Sequence, residues 1–99
     1  MIINPLVSII TPSYNSSQFI VETIKSVQAQ TYTNWEMLIT DDCSIDNSVE
    51  IIKKISEIDK RIKIFRLEKN SGAGPARNNS IKKAKGKSLA FLDSDDIWV

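Results

Sequence analysis

The stretch VSIIT at residues 7–11, stopped by Pro12, sets the architecture of this chain. It is short, β-branched and almost wholly apolar, which predicts a strand buried on both faces, and such strands belong to parallel sheets covered by helices. The same sequence of apolar run, polar turn and helix then repeats. Beyond the polar turn at 13–17, Phe19, Ile20, Ile24 and Val27 recur at helical spacing, and the pattern stops before Thr31. WEMLIT at 35–40 reads as a second strand, closed by Asp41-Asp42. Asp46 or Asn47 caps the next helix; with Asn47 as cap, Glu50 occupies the capping-box position. Ile51, Ile52, Ile55 and Ile58 form the apolar stripe of that helix.

Ile62–Leu67 reads as a third strand. After the loop Glu68–Gly74, Pro75 is placed to open a helix running to about Lys85, with Gly86 as its stop. Ser88–Leu92 reads as a fourth buried strand. Strands alternating with helices imply an α/β fold: a parallel, Rossmann-like sheet of about four strands with flanking helices and right-handed crossovers. The chain has 99 residues, 41% hydrophobic and 25% charged, a composition of a globular domain that buries roughly 60–65% of its unfolded surface.

Composition excludes several functions. Thirteen Lys and Arg against twelve Asp and Glu give a net charge of +1, so the basic excess expected of a nucleic-acid binder is missing. No apolar run approaches the roughly 20 residues of a membrane span, and the start has no basic region and is broken by Pro5, so neither a transmembrane segment nor a leader is expected. Cys43 is the single cysteine and there is no histidine. That removes an internal disulfide, a zinc site and a histidine-based triad, and favours a reduced cytoplasmic setting. Any metal must be held by oxygen.

Polar residues gather at one edge of the expected sheet. Asn15, Asp41-Asp42 and Asp93-Ser94-Asp95-Asp96 each follow the carboxyl end of a different strand, where open α/β sheets bind ligands. Turn chemistry alone would account for isolated Asp and Asn residues. Three carboxylates within four residues repel one another and call for a cation, and all-oxygen ligation suits Mg²⁺ or Mn²⁺ bound together with substrate phosphates. Asp93 and Asp95, two apart, can point to one side. The loop SGAGP at 71–75 is either a glycine-rich phosphate cradle or a flexible entry into a helix. Arg77, near the start of that helix, can reach carboxylates or phosphate at the same edge. The lysines Lys82, Lys83, Lys85 and Lys87 read as a solvated face, with an anionic membrane surface as the alternative.

Four blocks carry a resemblance across almost the entire chain: VSIITPSYN at 7–15, the stretch 26–46 with Gln30-Thr31-Tyr32 and TDDCSID, NSGAGPARN at 70–78, and AKGKSLAFLDSDDIW at 84–98. Together they resemble the nucleotide-diphospho-sugar glycosyltransferases of family 2, which have the GT-A fold. The resemblance implies a nucleotide-sugar-binding N-terminal portion over 1–99, working in polysaccharide biosynthesis. Pro12 and Tyr14 would border the base, and Asp42 would accept the N3–H of uracil, with Arg77 near that carboxylate. Asp93-Ser94-Asp95 would be the DxD motif, Asp93 near ribose and metal and Asp95 the principal ligand of Mn²⁺ or Mg²⁺. The donor would be a UDP-sugar and the acceptor a glycan or lipid-linked molecule, met in the cytoplasm or at the inner face of the membrane. The acceptor half and the general base of an inverting transfer lie beyond DxD in that family. Cys43 stands where the family more often has Gly or Asn; a small buried thiol is expected there.

Two other readings stay open on the residues alone. A haloacid-dehalogenase-like phosphohydrolase also places Asp-x-Asp after a parallel strand, though after the first one. A non-catalytic nucleotide-binding module is the other. Parallel sheets are normally covered on both faces, so this piece by itself is expected to be marginally stable or to self-associate as a homo-oligomer.

Overall fold

The structure is a computed structural model in which residues 4–95 are described. Four strands and three helices alternate: β1 (Val7–Ser13), α1 (Ile20–Gln28), β2 (Trp35–Asp41), α2 (Ser48–Ile58), β3 (Ile62–Arg66), α3 (Ala73–Lys83) and β4 (Ser88–Phe91). All pairings are parallel, in the order β3-β2-β1-β4. The first three strands step one way and β4 returns to the far side of β1. The strand order therefore reverses between β1 and β4, and such a switch point opens a crevice at the carboxyl edge of the sheet.

Side chains alternate across the two central strands. Ile9, Met37 and Ile39 join Ile20, Ile24, Val27, Trp35, Ile52, Ile62 and Leu92 in one apolar core with α1 and α2. On the other face α3 packs on β1 and β2, and there buried Ile10 and Leu38 are joined by polar contacts: the Thr40 and Ser80 hydroxyls lie 2.7 Å apart and Ser80 Oγ donates to the Leu38 carbonyl at 3.0 Å. Small residues, Ala76 and Ser80, let the helix approach closely, and both are fully buried.

β1 and β2 are buried on both faces as their sequences imply, and each runs one or two residues longer than expected. β4 is not a buried strand. It is an edge strand that pairs only with β1: Ala90 packs against the core, whereas Leu89 and Phe91 on the other face are 43% and 57% exposed. Phe19 and Ile58 also leave the apolar stripes assigned to them: Ile58, the last residue of α2, is exposed, and Phe19 caps α1 with its ring turned outward.

The helix ends differ from expectation in instructive ways. No capping box forms at Asn47, whose side chain makes no cap bond; one residue earlier, Asp46 Oδ1 accepts the Ser48 N–H at 3.0 Å and the Ser48 hydroxyl. α3 begins two residues before Pro75, which loses nothing there: the first backbone bond of the helix is donated by Ala76 to the Gly72 carbonyl at 3.3 Å, and earlier amides have no helical acceptor. α3 ends at Lys83, before Gly86, which serves another purpose. A Cβ at Gly86 would sit 2.6–2.7 Å from Ser8 Oγ, Ser8 N and Leu6 O, so only glycine lets this turn press against β1.

Candidate functional site

The loops after β1 and β4 flank the switch point, and the loops after β2 and β3 close in from one side. Between them lies a cleft of about 300 Å³, lined by Pro12, Tyr14, Asn15, Asp42, Arg77, Asp93, Ser94 and Asp95. Every site residue expected from the sequence is thus brought to one cavity. Ser13, Ser16, Phe19 and Ala73 complete its wall.

Its walls are fixed by buried hydrogen bonds. Of the pair Asp41-Asp42, Asp41 is wholly buried and turns away, accepting the Ser44 N–H at 2.7 Å and the Ser44 hydroxyl at 2.5 Å. Ser44 Oγ in turn accepts the Asn15 N–H at 2.8 Å, and Asn15 Oδ1 accepts the Ile45 N–H at 3.0 Å. This chain of contacts ties the β1 loop to the β2 loop. Asn15 and Cys43 both adopt positive φ, 47° and 63°. Asn tolerates that conformation and Cys does so with strain. The Cys43 thiol is only half-buried, not the enclosed thiol expected; Sγ lies 3.9 Å from the Glu68 carbonyl.

Asp42 is 4% exposed yet faces the cleft. Its Oδ1 accepts the Ser71 N–H at 2.7 Å and its Oδ2 the Gly72 N–H at 2.8 Å, at the N-terminus of α3, where the helix dipole favours negative charge. The glycine-rich loop is therefore neither a free cradle nor a slack entry. Two of its amides hold a protein carboxylate, and Gly72 at φ 100° supplies the turn that aims them.

Arg77 lines the same cleft as Asp42, but its guanidinium pairs with Asp93, Nη2 to Oδ1 at 3.2 Å. Both partners are well exposed, so the pair orients side chains more than it stabilises the fold. The DxD turn is held from below by Leu92, which is buried in the core and donates its N–H to Ile10 at 3.1 Å. Its Ser94 carbonyl accepts the Thr23 hydroxyl at 2.7 Å. Beside the site, burial pushes the Asp46 carboxyl up, but bonds from Ser48 and Ser17 outweigh this and hold it below its ordinary value.

Asp93 and Asp95 offer hard carboxylate oxygens to one cavity, which suits Mg²⁺ or Mn²⁺. Among the described residues no three His, Cys, Asp or Glu side chains converge on a metal site. The donor set fits an ion that takes its remaining ligands from a diphosphate and water. Asp96 and Ile97-Trp98-Val99 lie outside the described residues.

The missed lining residues had weak signals. Ser13 and Ser16 belong to the polar turn already noted, their hydroxyls 2.6 Å apart. Phe19 was hidden by helical spacing, which cannot tell which of Phe19 and Ile20 begins the buried face.

Comparison with known proteins agrees with this geometry. The profile of the family described as Glycosyl transferase family 2 matches residues 8–99. A Bacillus subtilis protein named as a teichuronic acid biosynthesis glycosyltransferase, TuaG, is 51% identical over 94 residues, 95% of this chain and 37% of its own. The Escherichia coli UDP-Glc:alpha-D-GlcNAc-diphosphoundecaprenol beta-1,3-glucosyltransferase WfgD is also 51% identical over 94 residues, 95% of this chain and 36% of its own. Among solved structures, S. aureus TarS 1–349 in complex with UDP superposes with a TM-score of 0.86 at 37% identity, over 92% of this chain and 28% of that one. The chain thus spans little more than a third of these curated relatives, and nothing here supports the phosphohydrolase or non-catalytic alternatives. Sheet order, cleft and profile match converge on one conclusion: the chain has the α/β, Rossmann-like GT-A architecture and belongs to glycosyl transferase family 2.

Proposed function

We propose that this chain is the donor- and metal-binding part of an inverting glycosyltransferase that uses a UDP-sugar. The observation that carries the reading is that one cleft at the β1–β4 switch point gathers Pro12, Tyr14, Asn15, Asp42, Arg77, Asp93, Ser94 and Asp95. Half-exposed Tyr14 offers a face to a base. The Asp42 oxygens, although engaged by Ser71 and Gly72, retain lone pairs for a base N–H. Uracil as that base is supported by the UDP bound to TarS and the UDP-Glc in WfgD's name.

Asp93 and Asp95 would hold Mn²⁺ or Mg²⁺ against the diphosphate. Bound there, the ion would supply Lewis-acid stabilisation of the charge on the leaving group. Arg77 adds a positive charge beside Asp93, positioned by the ion pair to meet phosphate oxygens. The acceptor hydroxyl would attack the anomeric carbon as its bond to the diphosphate breaks, giving its proton to a general base outside residues 1–99. A glycan or lipid-linked acceptor in polysaccharide assembly is supported by the names of TuaG and WfgD; the reaction would take place in the cytoplasm or at the inner face of the membrane. No described helix is long and apolar enough to cross a membrane.

Asp95→Asn tests the metal assignment. The neutral amide relieves repulsion in the cluster but removes a charged ligand, so UDP affinity should lose its Mn²⁺ dependence while the unfolding midpoint stays unchanged. Unchanged Mn²⁺ dependence would contradict the assignment.

A further inference from the structure

The Asp93-Ser94-Asp95 turn has one side-chain tether to its backbone among the described residues, and that tether comes from a helix outside the cleft lining. Thr23 is fully buried in the middle of α1. Its hydroxyl lies 2.7 Å from the Ser94 carbonyl and 3.2 Å from the Phe19 carbonyl. A hydroxyl has one proton, and the shorter contact takes it. The usual back-bond of a helical threonine to its own preceding turn is here the longer of the two. Ser94 sits between the two acidic residues, so fixing its carbonyl fixes the spacing from which both carboxylates depart.

We infer that Thr23 is a positioning residue for metal-dependent donor binding: its hydroxyl anchors the DxD turn to α1 and so holds the Asp95 carboxylate at the cleft, where it would ligate the ion. The inference rests on the donor-site reading above and adds a residue that touches neither nucleotide nor ion. Thr23 is buried on the same helix as Ile20 and Ile24, which are 0% and 1% exposed and belong to the apolar core, so α1 is anchored on the side that holds the turn. The base end of the cleft is built from other elements, namely Tyr14, Asn15 and Asp42. Loss of the hydroxyl therefore predicts a selective defect, at the diphosphate and not at the base.

The test compares Thr23→Ser with Thr23→Ala, which differ by the hydroxyl alone, and adds Thr23→Val, which keeps the volume. Affinity is measured for UDP with and without Mn²⁺ and for uridine. Wild type and Thr23→Ser should show the same gain in UDP affinity from Mn²⁺. In Thr23→Ala and Thr23→Val that gain should shrink roughly ten-fold, the effect of leaving one part-buried carbonyl unpaired, while uridine affinity stays within about two-fold. Equal losses for uridine and UDP–Mn²⁺ would overturn the inference, as would an undiminished gain in the Ala and Val variants, because Thr23 would then be packing only. A wild-type chain with no gain from Mn²⁺ would overturn the donor-site reading, and this inference with it.

Discussion

Adjacent aspartates in TDDC serve opposite ends of the same loop. Asp41 faces inward and organises Ser44 and Asn15, whereas Asp42 faces the cleft and is gripped by Ser71 and Gly72. The sequence marks both as polar residues at a strand end; alternation along β2 separates them, but the partners of Asp42 are 29 and 30 residues away and leave no local trace. Cys43 is clearer in retrospect: φ of 63° is a conformation that Gly and Asn adopt with less strain. The grip on Asp42 changes how its substitution is expected to behave. Asp42→Asn replaces one acceptor oxygen by a donor NH₂, so it must lose either the Ser71 or the Gly72 bond as well as weaken a base N–H contact. Metal-free uridine affinity should fall by about 1.5–3 kcal/mol, with a smaller loss of thermal stability. A defect confined to UDP with Mn²⁺, measured by calorimetry, would instead place Asp42 at the metal.

Strand composition alone could not rank the four strands. β1 and β4 read equally apolar, yet one is central and the other an exposed edge, because position in the sheet depends on where α3 delivers the chain. That delivery is governed at the amino edge, far from the cleft. Buried Glu36 accepts the Ser8 hydroxyl at 2.7 Å, the Lys85 N–H at 2.7 Å and the Lys63 ammonium at 3.2 Å. Ser8 Oγ also accepts the Gly86 N–H at 2.8 Å. This network and the missing Cβ of Gly86 dock β4 against β1 and so aim the DxD turn. Gly86→Ala would force backbone apart, since two of its three close contacts are main-chain atoms. A loss of about 1–3 kcal/mol in urea unfolding is expected, as for other overpacked sites. A change under about 0.5 kcal/mol, the usual range of surface substitutions, would mean that the turn is not held this tightly.

Acid should loosen the whole molecule in a defined window. Arg61 hydrogen bonds lower the Asp59 carboxyl from 3.8 to about 2. Burial raises Glu36, but the bonds from Lys85, Ser8 and Lys63 overcome it and lower the group below 4.5. Depressed carboxyls contribute stability that is complete above their unfolded values and lost as pH falls through their folded ones. Stability should therefore hold above about pH 4.5 and decline toward pH 2. Arg61 is 39% exposed on its side chain, so solvent screening leaves Asp59 about 1 kcal/mol of this decline, which Asp59→Asn should remove. Urea titrations from pH 7 to pH 2 check the window; a midpoint that rises on acidification would contradict it. The parallel α/β fold was legible in the repeated strand and helix pattern; Asn15, Asp42, Asp93, Ser94 and Asp95 were legible because each follows a strand end, Arg77 because it lies near the start of α3, and Pro12 and Tyr14 through the family resemblance. Strand order, edge exposure and long-range tethers were not, since they are properties of the assembled sheet.

The most direct measurement is a thermal-shift panel of UDP, GDP, CDP and TDP on this chain, each with and without Mn²⁺. A ligand that binds the folded state at 100 times its Kd adds about 2.7 kcal/mol, a rise of about 10 °C for a domain of this size. UDP with Mn²⁺ should give the largest rise, and UDP without metal a smaller one. No rise with any nucleotide, or equal rises for all four regardless of metal, would contradict the donor-site account.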